Sequence, residues 1–119
     1  MPHKILIIDD FVEYAGLLQK SLKVEGFDAS IANDGEAGIR KARTDRPDLI
    51  LLDIMMPNIG GPEVRAELMK HPETKDVPII FLTGLRAPQS KKISPAGVKV
   101  IGKSNDFREL LDVIRETLG

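Results

Sequence analysis

The chain has 119 residues, enough for one domain around a single hydrophobic core. Seventeen basic residues against eighteen acidic ones give a formal net charge of −1, which argues against a general electrostatic grip on nucleic acid. There is no cysteine, which excludes disulfides and thiolate metal sites, and the longest apolar runs are of strand length, too short for membrane insertion. Met1-Pro2-His3-Lys4 leads into the first apolar run without a signal-peptide pattern, so a cytoplasmic chain is expected.

The first strand is predicted over 4–8, where Ile5-Leu6-Ile7-Ile8 ends in Asp9-Asp10. A helix follows over 11–25, with Val12, Ala15, Leu18 and Leu22 on one stripe and Gly26 as its stop signal. A second strand covers 27–32, where Phe27, Ala29 and Ile31 alternate. Asn33-Asp34-Gly35-Glu36 reads as an N-cap with its acidic partner three residues on, and Pro47 limits that helix, which runs to 44. The third strand, 48–53, closes Leu49-Ile50-Leu51-Leu52 with Asp53. Gly60-Gly61-Pro62 opens a third helix, with Pro62 suited to its first position. The fourth strand, 77–82, ends at Thr83, and the fifth, 98–102, ends at Lys103. The last helix spans 105–118, with Phe107, Leu110, Leu111, Ile114 and Leu118 on one face. The segment 84–97 should hold the fourth helix, but Pro88 and Pro95 predict a short, displaced or irregular one.

Five strand–helix units predict a single domain over 1–119 of the α/β class: a doubly wound, five-stranded parallel sheet of flavodoxin-like order 2-1-3-4-5, with helices on both faces. Runs this rich in Ile, Leu and Val suit strands buried on both faces. In such sheets ligands bind beyond the carboxyl ends of the strands, and the switch point falls between the first and third, where Asp10 and Asp53 would meet. The polar termini Asp9, Asp10, Asp53, Thr83 and Lys103 come from the four strands that this order makes adjacent.

Two carboxylates about 4 Å apart repel by roughly 4 kcal/mol at an effective dielectric of about 20. Three acids in one pocket therefore need a cation or must protonate. Hard oxygen ligands without His or Cys suit Mg²⁺, which fills its remaining positions with water and phosphate oxygens. An acidic nucleophile beside Mg²⁺, an amine and a hydroxyl is the equipment for phosphoryl transfer to a carboxylate.

Four stretches carry a family resemblance. They are Ile5-Leu6-Ile7-Ile8-Asp9-Asp10, Leu51-Leu52-Asp53-Ile54-Met55-Met56-Pro57 with Gly60-Gly61, Phe81-Leu82-Thr83-Gly84, and Gly102-Lys103. In this order and at these separations the chain resembles the receiver domain of two-component response regulators, in the manner of a single-domain chemotaxis regulator. The resemblance implies that Asp53 accepts a phosphoryl group from a histidine kinase or histidine phosphotransfer protein. It implies Mg²⁺ on Asp10, Asp53 and the carbonyl of Met55, with Asp9 assisting. It implies that Lys103 pairs with the phosphoryl group, and that Thr83 bonds it and moves on activation. The result is a signalling switch for a downstream protein target, rather than a turnover enzyme. The phosphate donor is expected over Phe11, Val12, Ala15 and Ser104, and apolar Met55 and Leu85 are expected to slow hydrolysis by excluding water.

Three departures concern the read-out. Val100 stands where the family usually carries Tyr or Phe, Ser104 stands where it usually carries Pro after the lysine, and the fourth helix region is broken by prolines. Val100 and Ser104 favour an alternative, a receiver-like interaction module acting without phosphorylation; the complete acid, threonine and lysine set opposes it. Enzymes on similar folds fit worse. A haloacid-dehalogenase-type phosphatase needs a second Asp where Met55 stands, and a flavodoxin needs a hydroxyl-rich loop where Phe11-Val12-Glu13 stands. Met55 and Met56 read as part core and part pocket wall, Lys91-Lys92 as solvated, and His3 and His71 as lying outside the cluster. The chain ends soon after its last helix without a DNA-binding output domain, so it either acts alone through protein contacts or was cut from a longer protein.

Overall fold

Six strands make one sheet in the computed structural model, which describes residues 2–84, 92–93, 98–104 and 106–119. In chain order the elements are β1 (Lys4–Ile8), α1 (Val12–Val24), β2 (Asp28–Ala32), α2 (Gly35–Asp45), β3 (Leu49–Asp53), α3 (Gly61–Leu68), β4 (Ile79–Thr83), β5 (Lys92–Ile93), β6 (Lys99–Gly102) and α4 (Phe107–Leu118). The sheet order is β2-β1-β3-β4-β6-β5, and all pairs but the last are parallel. With β6 as the predicted fifth strand, the parallel part is the expected 2-1-3-4-5.

Period-two alternation sends successive side chains of each strand to opposite faces. Ile5, Ile7, Leu49, Leu51, Ile80, Leu82 and Ile101 pack with Ala15, Leu18 and Leu22 of α1 and with Leu110, Val113 and Ile114 of α4. Leu6, Ile8, Ile50, Leu52 and Phe81 pack with Ala42 of α2 and with Val64 and Leu68 of α3. Continuous apolar runs were needed because both faces are covered. Replacing a wholly buried Leu51 or Leu52 by Ala would cost about 2–5 kcal/mol on this basis.

Several local expectations change. The buried stripe of α1 begins at Ala15; Val12 is 61% exposed, because α1 starts beyond the sheet edge with Phe11 as its N-cap. Asp34, not Asn33, caps α2, accepting from the Ala37 N–H at 2.7 Å; the Asn33 side chain donates instead to the Asp9 carbonyl. Pro62 falls at the second position of α3, after Gly61. Within the segment expected to hold a fourth helix, Lys92–Ile93 forms an antiparallel edge strand against Lys99–Val100. Ile93 is β-branched, a residue type that favours strands over helices. Residues 85–91 and 94–97, including Leu85, Pro88, Lys91 and Pro95, lie outside the described residues. None of the described peptide bonds is cis, so Ser104 follows Lys103 without the proline-type turn.

Candidate functional site

Register brings the polar termini together. Ile8 of β1 lies opposite Leu52 of β3, so Asp9 and Asp53 leave the sheet side by side. Thr83 lies opposite Gly102, and the Thr83 carbonyl accepts the Lys103 N–H at 2.7 Å, which aims the lysine back over the strand ends. Gly61 closes the far wall. A Cβ there would stand 2.5 Å from the Asp53 carbonyl oxygen, so only glycine lets α3 begin this close to β3.

The carboxylate oxygens of Asp9, Asp10 and Asp53 lie within 4.8 Å of one another. Asp9 is wholly buried and Asp53 nearly so, while Asp10 is exposed. Asp9 is held from three sides. Its N–H donates to the Ala32 carbonyl at 3.0 Å, its carbonyl accepts from Asn33 at 3.0 Å, and its Oδ1 accepts the Phe11 N–H at 2.9 Å. The Lys103 ammonium stands 2.7 Å from Asp9 Oδ2 and 3.5 Å from Asp53 Oδ1. Asp9 Oδ2 takes no hydrogen bond among the described residues, so Lys103 meets it as a charge rather than as an aligned donor. A buried carboxylate oxygen with a spare lone pair, beside two further carboxylates, fits a hard divalent cation such as Mg²⁺.

Four of the predicted residues, Asp9, Asp10, Asp53 and Lys103, thus form one cluster. Thr83 ends β4 beside it, 8% exposed. Met55 stands two residues beyond Asp53 and is 74% exposed, Met56 packs on the core, and both line a groove with Pro57, Gly60 and Pro62. Ala15 is wholly buried and cannot touch a partner, whereas Phe11, Val12 and Ser104 are exposed around the pocket mouth. The reason is helical periodicity: the stripe that makes Ala15 core removes it from the rim. His71 lies elsewhere, 3.3 Å from Glu67.

Sequence reasoning missed Tyr14. The Lys103 ammonium lies over its ring, 5.0 Å from the centroid. Burial, then the charges of Asp9 and Asp53, push the phenol up to about 12, so it stays neutral. The available signal was its place one helical turn after Asp10, as the chain's only tyrosine.

Residues 5–115 match the response regulator receiver domain family. The chain belongs to that family. Among its relatives, the response regulator ArlR of Staphylococcus saprophyticus is 36% identical over 117 residues, covering 97% of this chain and 52% of the relative. The alkaline phosphatase synthesis transcriptional regulatory protein PhoP of Bacillus subtilis is 42% identical over 83 residues, 70% of this chain and 34% of that protein. The receiver spans about half or less of these relatives. Its fold is that of chemotaxis protein CheY4 of Vibrio cholerae, with a TM-score of 0.86 at 23% identity over 98% of this chain and 99% of that one. A chain in the complex of histidine kinase ThkA with response regulator TrrA matches at 34% identity and TM-score 0.84, over 100% of both chains. The chain is therefore a receiver domain of the two-component response regulator kind. Among the described residues no helix is long and apolar enough to cross a membrane.

The cluster has a pH consequence. Burial, then the charge of Asp9, raises the Asp53 carboxyl from 3.8 to about 6, against the pull of Lys103. A folded-state value above the unfolded one favours the folded protein at low pH, and that advantage is lost as pH rises from about 4 through about 6. Asp53→Asn removes this penalty. In metal-free buffer its melting temperature should match the parent near pH 4 and exceed it above pH 6. A constant difference across that range in paired thermal melts would contradict the assignment.

Proposed function

We propose that this receiver accepts a phosphoryl group on Asp53 from a histidine kinase or histidine phosphotransfer protein, and thereby changes its affinity for a downstream protein target. One observation carries the reading: three carboxylates and one ammonium converge at the strand ends. A carboxylate oxygen of Asp53 bonds to phosphorus as the donor's phosphorus–nitrogen bond breaks, and the released imidazole takes up a proton. Lys103, already shared between Asp9 and Asp53, pairs with a phosphoryl oxygen. The Thr83 hydroxyl donates to another and moves with it. Mg²⁺ on Asp10, Asp53 and the Met55 carbonyl, with Asp9 assisting, would neutralise charge building on the phosphoryl oxygens. Val100, standing where the family usually carries an aromatic side chain, packs at the core margin.

Intact-mass measurement after incubation with acetyl phosphate and Mg²⁺ tests the reading. One acid-labile adduct is expected, absent without Mg²⁺; a chain that never gains it is not a phosphoacceptor. The donor docks on the exposed rim of Phe11, Val12 and Ser104. A Val12→Asp, Ser104→Arg variant should transfer slowly from a phosphohistidine donor yet load normally from acetyl phosphate. Equal rates with both donors would remove the docking assignment.

Asp10→Ala should weaken Mg²⁺ binding by at least about tenfold, because a metal held by one or two carboxylates loses a first ligand. Isothermal titration decides it, and an affinity within about twofold of the parent would exclude Asp10 as a ligand.

A further inference from the structure

Lys103 poses a positional problem. Its ammonium sits on a flexible four-carbon stem. It lies closer to Asp9, at 2.7 Å, than to Asp53, at 3.5 Å, although its proposed task is at Asp53. A groove of about 170 Å³ between α1 and α4 is lined by Leu17, Leu18, Phe107 and Leu110, with Lys103 and Tyr14 also on its wall. Carboxylates alone would let the stem swing within that space. Tyr14 stands at the border of that space, with its ring under the ammonium.

We infer that Tyr14 is a positioning residue for Lys103: its ring face holds the ammonium over the carboxylates and blocks its turn into the groove between α1 and α4. A centroid distance of 5.0 Å is inside the range at which a ring quadrupole attracts a cation. The ring is anchored, because Tyr14 packs on the core beside Ala15 and Leu18. The phenol stays neutral, so the attraction comes from the ring and not from a phenolate. The role belongs to the aromatic face, and the hydroxyl is dispensable.

This inference deepens the proposed phosphoacceptor role, and the two fail separately. A parent chain that takes no phosphoryl group removes the role of Asp53; a loading parent with an unaffected Tyr14 variant removes only the role of Tyr14. Tyr14→Leu should slow loading from acetyl phosphate by about tenfold, and Tyr14→Phe should stay within about twofold of the parent. A Phe variant as slow as the Leu variant, or a Leu variant as fast as the parent, overturns the inference. Denaturant unfolding supplies a second reading that needs no phosphorylation. If the ring acts through the lysine, the stability lost in Tyr14→Leu should shrink by roughly half or more in a Lys103→Met background. Additive losses in that cycle would make Tyr14 a core side chain only.

Discussion

Asp53→Asn should load no phosphoryl group from acetyl phosphate under conditions that fully load the parent, a loss on the order of a thousandfold or more in rate. The amide matches the carboxylate in size but offers no anionic oxygen to attack phosphorus. The fold should survive, because Asn relieves crowding among Asp9, Asp10 and Asp53 rather than adding to it. The competing acceptors are clear. Asp9 is wholly buried and committed to Phe11 and Lys103, and Asp10 is exposed and lacks a lysine at contact distance among the described residues. Intact-mass spectra of both proteins with Mg²⁺ give the answer. A full adduct on the Asn variant would move the acceptor to another acid.

Lys103→Met should be the most destabilising single change at the site. Methionine keeps most of the apolar stem and removes the charge. Asp9 would then be a wholly buried carboxylate without a counter-ion among the described residues, and Oδ2 would face no cation. Breaking a buried pair from one side costs about 3–5 kcal/mol. For a domain of this size that is a fall of roughly 10 °C or more in melting temperature. Mg²⁺ should recover part of it, since a divalent ion among the three acids replaces the missing charge, so the Mg²⁺-induced gain should be larger in the variant than in the parent. Thermal melts of both proteins in chelator and in Mg²⁺ measure the four values. A variant that melts with the parent in chelator would mean that Lys103 does not hold the buried charge of Asp9.

Much of this protein follows from local pattern. The run Leu49-Ile50-Leu51-Leu52-Asp53 announces a doubly covered strand with a charge at its end, because four aliphatic residues need burial and a carboxylate there is costly unless used. The stripe of α4 is equally plain, since apolar residues three and four apart share one helix face. Alternation of such units leaves few topologies, and right-handed crossovers prune them to the observed parallel order. The acids, Thr83 and Lys103 then had to emerge on one sheet edge.

Long-range placement decided the rest. Asp9 and Asp10 are adjacent and chemically identical, yet one is buried and the other exposed. The difference depends on Asn33, Ala32 and Lys103, which reach Asp9 from β2 and β6 and leave no trace in the local run. Val12 and Ala15 fall on the same predicted stripe, but the sheet ends beneath one and continues beneath the other, which only the assembled layers determine. The edge pairing of Lys92–Ile93 required β6 to present an open side. Tyr14 reads as an ordinary helix residue until the fold carries Lys103 over its ring. Periodicity reports which face of an element is buried; which distant side chain meets it there depends on packing between elements far apart in the chain.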